Sequence, residues 1–471
     1  MSLLFAGSFV IINTFSRAQA QDTSLQSRLT GNGGPMKSRK PIERLLKAFA
    51  IMLLVLTIGH AQTQNISTAI THVTLVDVIA GISKPDMTVV ITGNRITQIG
   101  LTTEIAIPAN AHKVDGQGKF LIPGLWDMHI HLGNATEAAL TMLVASGITG
   151  VRDMGSPRFE TLRRWNVEAL AGMRIGPRIV AAGPILDDGA PDPTRLIVHN
   201  EDEARRAVDY LAETGVDFIK VHEHLDRNTY FAIADEARKL NIPFAGHVPT
   251  GENGYLVSGI EASNAGQKCL EHLFGIPFPF QRDTPQSELF ATLRKNGTWV
   301  DPTLLTIWSR AHVFELAAKQ DPRLKHVAPA LKQFWDAQVR GFSSNVSVNA
   351  KIFEWRAADV KALYDANVPL LAGTDLGFAY VYPGDVGQEL ELLVRVGLPA
   401  LDALRTATIN PARYLNKEKD LGSVEIGKIA DLVLLDGNPL SDIHNVKLVR
   451  AVVLNGRFLD HTQLEAMLPT F

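Results

Sequence analysis

The side chains best suited to metal chemistry in this sequence are four histidines, an aspartate and a lysine, each at or near the end of a short apolar segment. They are His129, His131, Lys220, His247, His272 and Asp375. His129 and His131 stand two residues apart, so in a β-strand both imidazoles would project from one face. Four imidazoles and a carboxylate suit Zn²⁺ or a similar borderline cation. We therefore predict a centre of two divalent cations that activates water for hydrolysis.

Lys220 is the unusual member of this set, because two cations would repel a protonated lysine. If its amine reacts with CO₂, the resulting carbamate is an anion whose two oxygens can bridge two metals. The alternative is a surface lysine whose stem lies along apolar residues. Phe218, Ile219 and Val221 make the surrounding segment strongly apolar, which favours the buried, carbamylated form.

A second His-x-His pair, His222 and His224, follows Lys220 directly. We interpret this pair as part of a solvated or substrate-facing loop rather than as metal ligands, and we keep His222 as a candidate substrate contact. His129 and His131 differ from it because they lie on the first of a series of strands whose later members carry the other ligands.

The elements that must position these residues alternate between strand and helix through the middle of the chain. Helical stretches such as Glu201–Thr214, Tyr230–Leu240 and Asp359–Ala366 separate most of the strands. The eight strand candidates are Leu125–His129, Ile148–Asp153, Arg178–Ala182, Asp217–Val221, Pro243–Val248, Leu270–Phe274, Trp299–Leu304 and Pro369–Thr374. This alternation predicts an α/β fold with a (β/α)₈ TIM barrel over residues 119–422. Catalytic groups lie at the C-terminal ends of barrel strands.

Short strands flank this region on both sides. Residues 66–118 contain four candidates, and residues 423–471 contain two more followed by an Asn455-Gly456 turn. The candidates are Thr71–Val78, Met87–Ile91, Arg95–Ile99, His112–Asp115, Asp431–Leu435 and Val449–Leu454. Because each set is too small to bury a sheet face alone, we predict one small β-sandwich domain formed from both ends of the chain.

Residues 1–65 precede the predicted fold and contain the pattern of a secretory signal over 36–61. A basic stretch opens at Met36, and the apolar run Ala48–Ile58 leads to small residues ending at Ala61. The apolar run is shorter than the roughly 20 residues of a membrane span. We expect cleavage after Ala61 and a periplasmic or secreted enzyme with no stable membrane anchor, whether translation starts at Met1 or at Met36.

Composition excludes several other classes of protein. The net charge is −3, and the body of the chain has no basic run of the kind that binds nucleic acid. The single cysteine, Cys269, excludes an intramolecular disulfide and a cysteine-based zinc site, and we expect it to pack in the core. The sequence is compatible with a homo-oligomer but does not specify one.

Over about residues 68–460 the sequence resembles the amidohydrolase superfamily, in particular its binuclear members with a carboxylated lysine. Within that superfamily it is similar to the Xaa-Pro-dipeptidase-like and imidazolonepropionase-like branch. The motifs that carry the resemblance are Phe120-Leu-Ile-Pro-Gly-Leu-Trp-Asp-Met-His-Ile-His131, Asp217-Phe-Ile-Lys220, Gly246-His247, Glu271-His272, Ala372-Gly-Thr-Asp375 and Gly422-Ser-Val-Glu-Ile-Gly-Lys-Ile-Ala-Asp-Leu-Val433.

The resemblance implies a division of labour among the ligands. His129, His131 and Asp375 would hold one metal. His247 and His272 would hold the other, with carboxylated Lys220 as the bridge. A hydroxide formed at the metals would attack the amide carbonyl, and Asp375 would act first as general base and then as general acid.

The expected substrates are dipeptides or N-acyl amino acids that carry a free carboxylate. Arg282 is a candidate anchor for that carboxylate, and Tyr255, Tyr380 and Tyr382 also fall in loops where substrate would bind. Asp127 is either a support for the centre or a buried structural carboxylate. The alternatives are opening of a lactone or cyclic amide, deamination, and an inactive binding protein. Lys220 argues against deaminases, which usually lack it, and the complete ligand set argues against a binding protein.

Overall fold

The computed structural model describes residues 67–133, 135, 137–252, 254–281, 286–342, 345–378 and 380–471, so the expected signal over 36–61 lies outside it. Residues 67–123 form five strands. They are β1 Ser67–Asp77, β2 Ile82–Thr92, β3 Arg95–Leu101, β4 His112–Asp115 and β5 Phe120–Pro123. Their β-branched residues suit an extended, half-buried backbone, and Ile70, Val73 and Val89 are fully buried.

The central part of the chain contributes short, mostly parallel strands with buried residues. They are β6 Leu125–Ile130, β7 Ile148–Asp153, β8 Arg178–Ala181, β9 Ile185–Asp187, β10 Arg195–Ile197, β11 Ile219–Val221, β12 Phe244–Gly246, β13 Thr250–Gly251, β14 Gly254–Tyr255, β15 Cys269–Glu271 and β16 Trp299–Asp301. Parallel pairing runs in the orders β6-β7-β8 and β10-β9-β11-β12-β15-β16.

The eighth predicted strand, Pro369–Thr374, is not a continuous strand in the structure, and it and the two residues after it form isolated parallel bridges. Leu370 pairs with Val300 of β16, and Leu376 pairs with Ile130 of β6. The segment 370–376 therefore connects the last strand of one parallel sheet to the first strand of the other. It brings Asp375 beside the end of β6.

Helices separate most of the central strands. They are α1 Ala138–Ala145, α2 Phe159–Leu170, α3 Glu201–Thr214, α4 Arg227–Lys239, α5 Gly259–Asn264, α6 Gln286–Asn296, α7 Leu304–Ala311, α8 Val313–Ala318, α9 Pro329–Phe342, α10 Val346–Asp365, α11 Val386–Arg395, α12 Ala400–Thr406 and α13 Ile409–Tyr414. The Asn200 side chain caps α3, as sequence rules expect. Within the described ranges, no helix is both long and apolar enough to cross a membrane.

The C-terminal part returns to the first sheet and ends in α14 His461–Ala466. Its strands are β17 Leu432–Leu435, β18 Val449–Leu454 and β19 Arg457–Asp460. The sheet has the order β19-β18-β17-β5-β1-β2-β3, with β4 beside β1. The two ends of the chain meet where β17 pairs antiparallel with β5. The described part of the molecule is an α/β protein that contains this mostly antiparallel sheet and, separately, the parallel strands of the central region.

Candidate metal centre

His129, in strand β6, and His131, directly after it, both lie beside Asp375. His129 is fully buried and the side chain of His131 is 18% exposed. The Oδ1 atom of Asp375 lies 3.4 Å from Nε2 of His131 and 3.7 Å from Nε2 of His129. The ring of His272 lies 4.4 Å from that of His129, centroid to centroid. These four side chains form one compact group.

The remaining two candidates lie on neighbouring strands. His247 follows β12, and its ring centroid is 5.0 Å from that of His272. Lys220 of β11 is 1% exposed. Burial and then the charge of Lys220 lower the pKa of His129, and Lys220 also contributes to the lowered pKa of His247. All six sequence-derived candidates therefore lie in one neighbourhood.

Each of the four histidines is oriented by a partner on Nδ1. His129 donates to Glu271 at 2.8 Å, and His247 donates to Glu223 at 2.6 Å. The other two donate to Thr303 Oγ1 at 2.6 Å and to the Gly155 carbonyl at 3.3 Å, from His272 and His131 respectively. Because these partners accept the Nδ1 proton, each imidazole that is neutral has its lone pair on Nε2, which is the form that binds a metal.

Protonation and unmet hydrogen bonding fit a divalent cation. Among the described residues, the buried atoms Nε2 of His129 and Oδ1 of Asp375 have no hydrogen-bond partner. Burial lowers the pKa of His129 and of His272, so both rings are neutral near pH 7. Burial opposes ionisation of Asp375, but His272 and His131 lower its pKa. The Asp375 carboxylate raises the pKa of His131 despite burial, so a proton and a cation compete for this pair.

A buried network of charged side chains holds Glu271, the hydrogen-bond partner of His129. Arg152 Nη2 donates to both oxygens of Glu271 at 2.8 and 2.9 Å, and Arg152 Nε donates to the Met128 carbonyl at 2.6 Å. Arg152 Nη1 also donates to Tyr414 Oη at 2.8 Å. Asp301 lies 3.5 Å from Arg152. This network fixes the position of Glu271, and Glu271 in turn fixes His129.

Asp127 is the buried carboxylate that ties β6 to the segment carrying Asp375. It accepts hydrogen bonds from Thr374 N at 2.9 Å and from Thr374 Oγ1 at 2.6 Å. Burial raises the pKa of Asp127 to about 7. Gly373 allows the same close approach, because a Cβ there would lie 2.5 Å from Cβ of His129. Asp127 thus helps to position Asp375 by holding Thr374, the residue directly before it.

Sequence reasoning missed the acidic partners of the histidines. Asp187, at the end of β9, accepts from His224 Nδ1 at 2.9 Å and from Arg195 at 2.6 Å. It lies 3.4 Å from Nδ1 of His222, whose ring is 4.2 Å from that of His247. The second His-x-His pair therefore borders the centre. The spacing of acidic residues gave no signal for Asp187, because its contacts depend on strand order.

The substrate-contact candidates are scattered. Tyr255 is half-buried, and its hydroxyl lies 3.4 Å from the Ile276 carbonyl. Tyr380 and Tyr382 are buried and pack on Trp335, with centroids 5.4 and 5.0 Å from it. Arg282 lies outside the described residues.

A different arginine, Arg310 on α7, acts electrostatically on the centre and helps to lower the pKa of Asp375. Its guanidinium lies 4.4 Å from the centre of the Phe378 ring. The sequence-based prediction had no reason to choose it, because α7 was not anticipated.

Comparison with known proteins gives a consistent picture. Residues 120–459 match the family model described as "Amidohydrolase family". Imidazolonepropionase of Anaeromyxobacter sp. (strain K) is 26% identical over 416 residues, which is 81% of this chain and 92% of that protein. Ochratoxinase of Aspergillus niger is 24% identical over 387 residues, covering 69% of this chain and 71% of that protein.

Solved structures extend the likeness to three dimensions. A Bifidobacterium longum structure assigned as a prolidase has a TM-score of 0.67 and 26% identity. It covers 86% of this chain and 98% of its own. The range 120–459 that matches the family model contains all six candidate ligands. Five of them lie in or directly after β6, β11, β12 and β15, and the sixth is Asp375.

Proposed function

Because the chain belongs to the amidohydrolase family, and is thus a hydrolase of carbon–nitrogen bonds, we propose that it cleaves dipeptides or N-acyl amino acids at a two-cation centre. The observation that carries this proposal is the set of four imidazoles, each held through Nδ1, beside the Asp375 carboxylate and the buried Lys220. The prolidase-like structural relative supports a peptide or amino-acid conjugate as substrate.

The proposed ligand assignment follows the two groups of side chains. His129, His131 and Asp375 hold one cation. His247 and His272 would hold the other, and Lys220 would serve both as a carbamate formed from its neutral amine and CO₂ with loss of a proton. Burial lowers the pKa of Lys220, which favours the neutral amine that this reaction needs. Zn²⁺ suits the imidazole-rich set.

A closed eight-stranded barrel over 119–422, next to a domain built from both chain ends, is the architecture that we propose around this centre. The parallel pairing in the orders β6-β7-β8 and β10-β9-β11-β12-β15-β16 supports it. The bridges of segment 370–376 to β16 and β6 also support it, because they join the two sheets. In that arrangement the ligands lie at the C-terminal ends of the strands, where barrel enzymes place their chemistry.

The chain's own residues then divide the remaining tasks. Divalent cations supply Lewis acidity that polarises a carbonyl and activates water near neutral pH. Asp375, whose low pKa keeps it ionised, accepts the proton of the attacking water at a carboxylate oxygen. It then donates that proton to the leaving nitrogen, so that the amine departs neutral.

Arg310 is the residue that we assign to the substrate carboxylate in place of Arg282. It projects from α7, on which Thr306 Oγ1 also lies 3.4 Å from Oδ2 of Asp375. Its positive charge helps to lower the pKa of Asp375, the group that would protonate the leaving amine, which supports a role for Arg310 close to that amine. A carboxylate on the leaving amino acid would be paired there, and pairing avoids the cost of a buried lone anion.

A substrate panel tests the function directly. We expect hydrolysis of dipeptides and N-acyl amino acids by the metal-loaded enzyme, and loss of activity with chelator or in Asp375→Asn. The imidazolonepropionase relative favours ring opening of a cyclic amide as the second candidate. If lactones, cyclic amides or aminopurines react while linear amides do not, the linear-amide proposal is wrong.

Export is a separate proposal, supported by the signal pattern over 36–61. We expect the mature chain to begin at Gln62 and to be recovered from a periplasmic or culture fraction. Mass spectrometry of the purified enzyme measures its N-terminus. Soluble, active protein that retains Met1 would contradict cleavage.

A further inference from the structure

A row of aromatic side chains leads away from the ligand His247. The Phe274 ring stacks on His247, with centroids 4.2 Å apart and planes 17° apart. Tyr255 follows, with its ring centroid 6.3 Å from that of Phe274. The aromatic row thus begins in contact with the candidate centre.

Arg356 joins the inner half of this row to the outer half. It donates to the Tyr255 hydroxyl at 3.4 Å and to the Ile276 carbonyl at 2.7 Å. Its guanidinium also lies 3.8 Å from the centre of the Phe278 ring. Because Arg356 is buried, these contacts hold Tyr255 and Phe278 in fixed relative positions.

The outer half of the row is open to solvent. Phe278 and Phe280 stack with parallel rings, with centroids 5.6 Å and planes 4° apart. Trp355 packs against both rings, at 6.0 and 5.6 Å. Phe280 is 67% exposed. Grouped exposed aromatic rings mark a binding surface more often than isolated ones do, and this group is continuous with the centre.

The direction of the row indicates which part of a substrate it meets. In the proposed function, on which this inference rests, Arg310 and Asp375 hold the leaving amino acid. The row starts instead from His247, a ligand of the other cation. We propose that the row of Phe274, Tyr255, Phe278, Phe280 and Trp355 is the acyl-binding subsite, and that it takes an extended aromatic acyl group.

Three carboxylates that mimic the acyl product probe this subsite without requiring any bond cleavage. They are acetate, which has no ring, and phenylacetate and 4-phenylbutanoate, which place a ring progressively further from the carboxylate. Isothermal titration calorimetry with the metal-loaded enzyme should show affinity rising along the series. The increment from phenylacetate to 4-phenylbutanoate should be about two- to tenfold, the range for added aromatic contacts.

Phe280→Ala and Trp355→Ala should remove that last increment while leaving acetate binding unchanged. Tyr210→Ala is the matched control, since Tyr210 is an exposed aromatic residue on α3 and should change nothing. Equal affinities along the series, or an undiminished increment in both variants, would overturn the proposal. If the series ranks as expected but no linear amide is hydrolysed, the proposed reaction fails and the subsite stands.

Discussion

Glu271 accepts the Nδ1 proton of His129 at 2.8 Å, and both side chains are fully buried. A carboxylate can only accept, so this contact leaves the Nε2 lone pair of His129 facing Asp375. Arg152 pairs with the same carboxylate at 2.8 Å and holds it in this position. The atom of His129 that is available to a metal is therefore set by a residue adjacent in sequence to another candidate ligand, His272.

We predict that Glu271→Gln lowers the affinity for divalent cations by about 10- to 100-fold, the usual cost of losing such a partner. Competition against a chromophoric chelator measures this affinity independently of catalysis. Glu160→Gln is the control, since Glu160 forms an exposed ion pair with Arg163 on α2. A variant that loses thermal stability but binds metal normally would show that Glu271 is structural only.

Lys220 provides the second prediction. Lys220→Ala should lose most of the activity and part of the metal content, because the proposed bridging anion is gone. Added short carboxylic acids such as propionate should restore some activity by supplying a substitute bridge. Lys268→Ala is the control, since Lys268 is half-buried, lies directly before β15 and packs on Tyr414 instead of the candidate ligands. Two metals and full activity in Lys220→Ala would refute the carbamate.

The repeating part of the fold was accessible from the sequence because periodicity is a local property. Strand Ile148–Asp153 and helix Glu201–Thr214 were predicted with the bounds that the structure has. The helix predicted over Asp359–Ala366 was too short, because α10 runs from Val346 to Asp365. Its first half lacked a clear apolar face, and tertiary contacts stabilise it instead.

The candidate site divides in the same way. The six ligand candidates could be named because each lies in or near the end of a short apolar segment. Arg310 and Asp187 could not, since their roles depend on how distant elements pack. Tyr380 and Tyr382 were named as substrate contacts because they follow Asp375 in a loop. In the structure they pack against Trp335 of α9, a helix that the sequence analysis did not predict.

Arg310 provides the third prediction. Arg310→Met should lower kcat/KM for free-acid substrates by an amount equivalent to about 1.5–3 kcal/mol, the range for a hydrogen bond to a charged group. The same substrates with an amidated C-terminus should already be poor and should lose little more. Arg294→Met, an exposed arginine on α6, is the control. An equal loss on free and amidated substrates would argue against a carboxylate anchor.

The last prediction concerns the start of α7, the helix that carries Arg310. Glu389 of α11 is fully buried and accepts hydrogen bonds from the backbone N–H groups of Leu304 and Leu305, at 3.0 and 2.7 Å. Burial raises the pKa of Glu389 from 4.5 to about 8, although both hydrogen bonds favour the ionised form. Between these two values the folded protein holds a proton that the unfolded chain has released.

The free energy of unfolding should therefore fall as pH rises from about 5 to about 8, with this group contributing at most about 1.4 kcal/mol per pH unit. Glu389→Gln keeps one acceptor oxygen and cannot titrate, so its unfolding free energy should fall less steeply over that range. Urea unfolding of both proteins in identical buffers with excess chelator removes the opposing pH dependence of metal binding. Glu418→Gln, at an exposed position, should follow the parent. Parallel curves for the parent and Glu389→Gln would mean that Glu389 is ionised throughout, held by the N-terminus of α7.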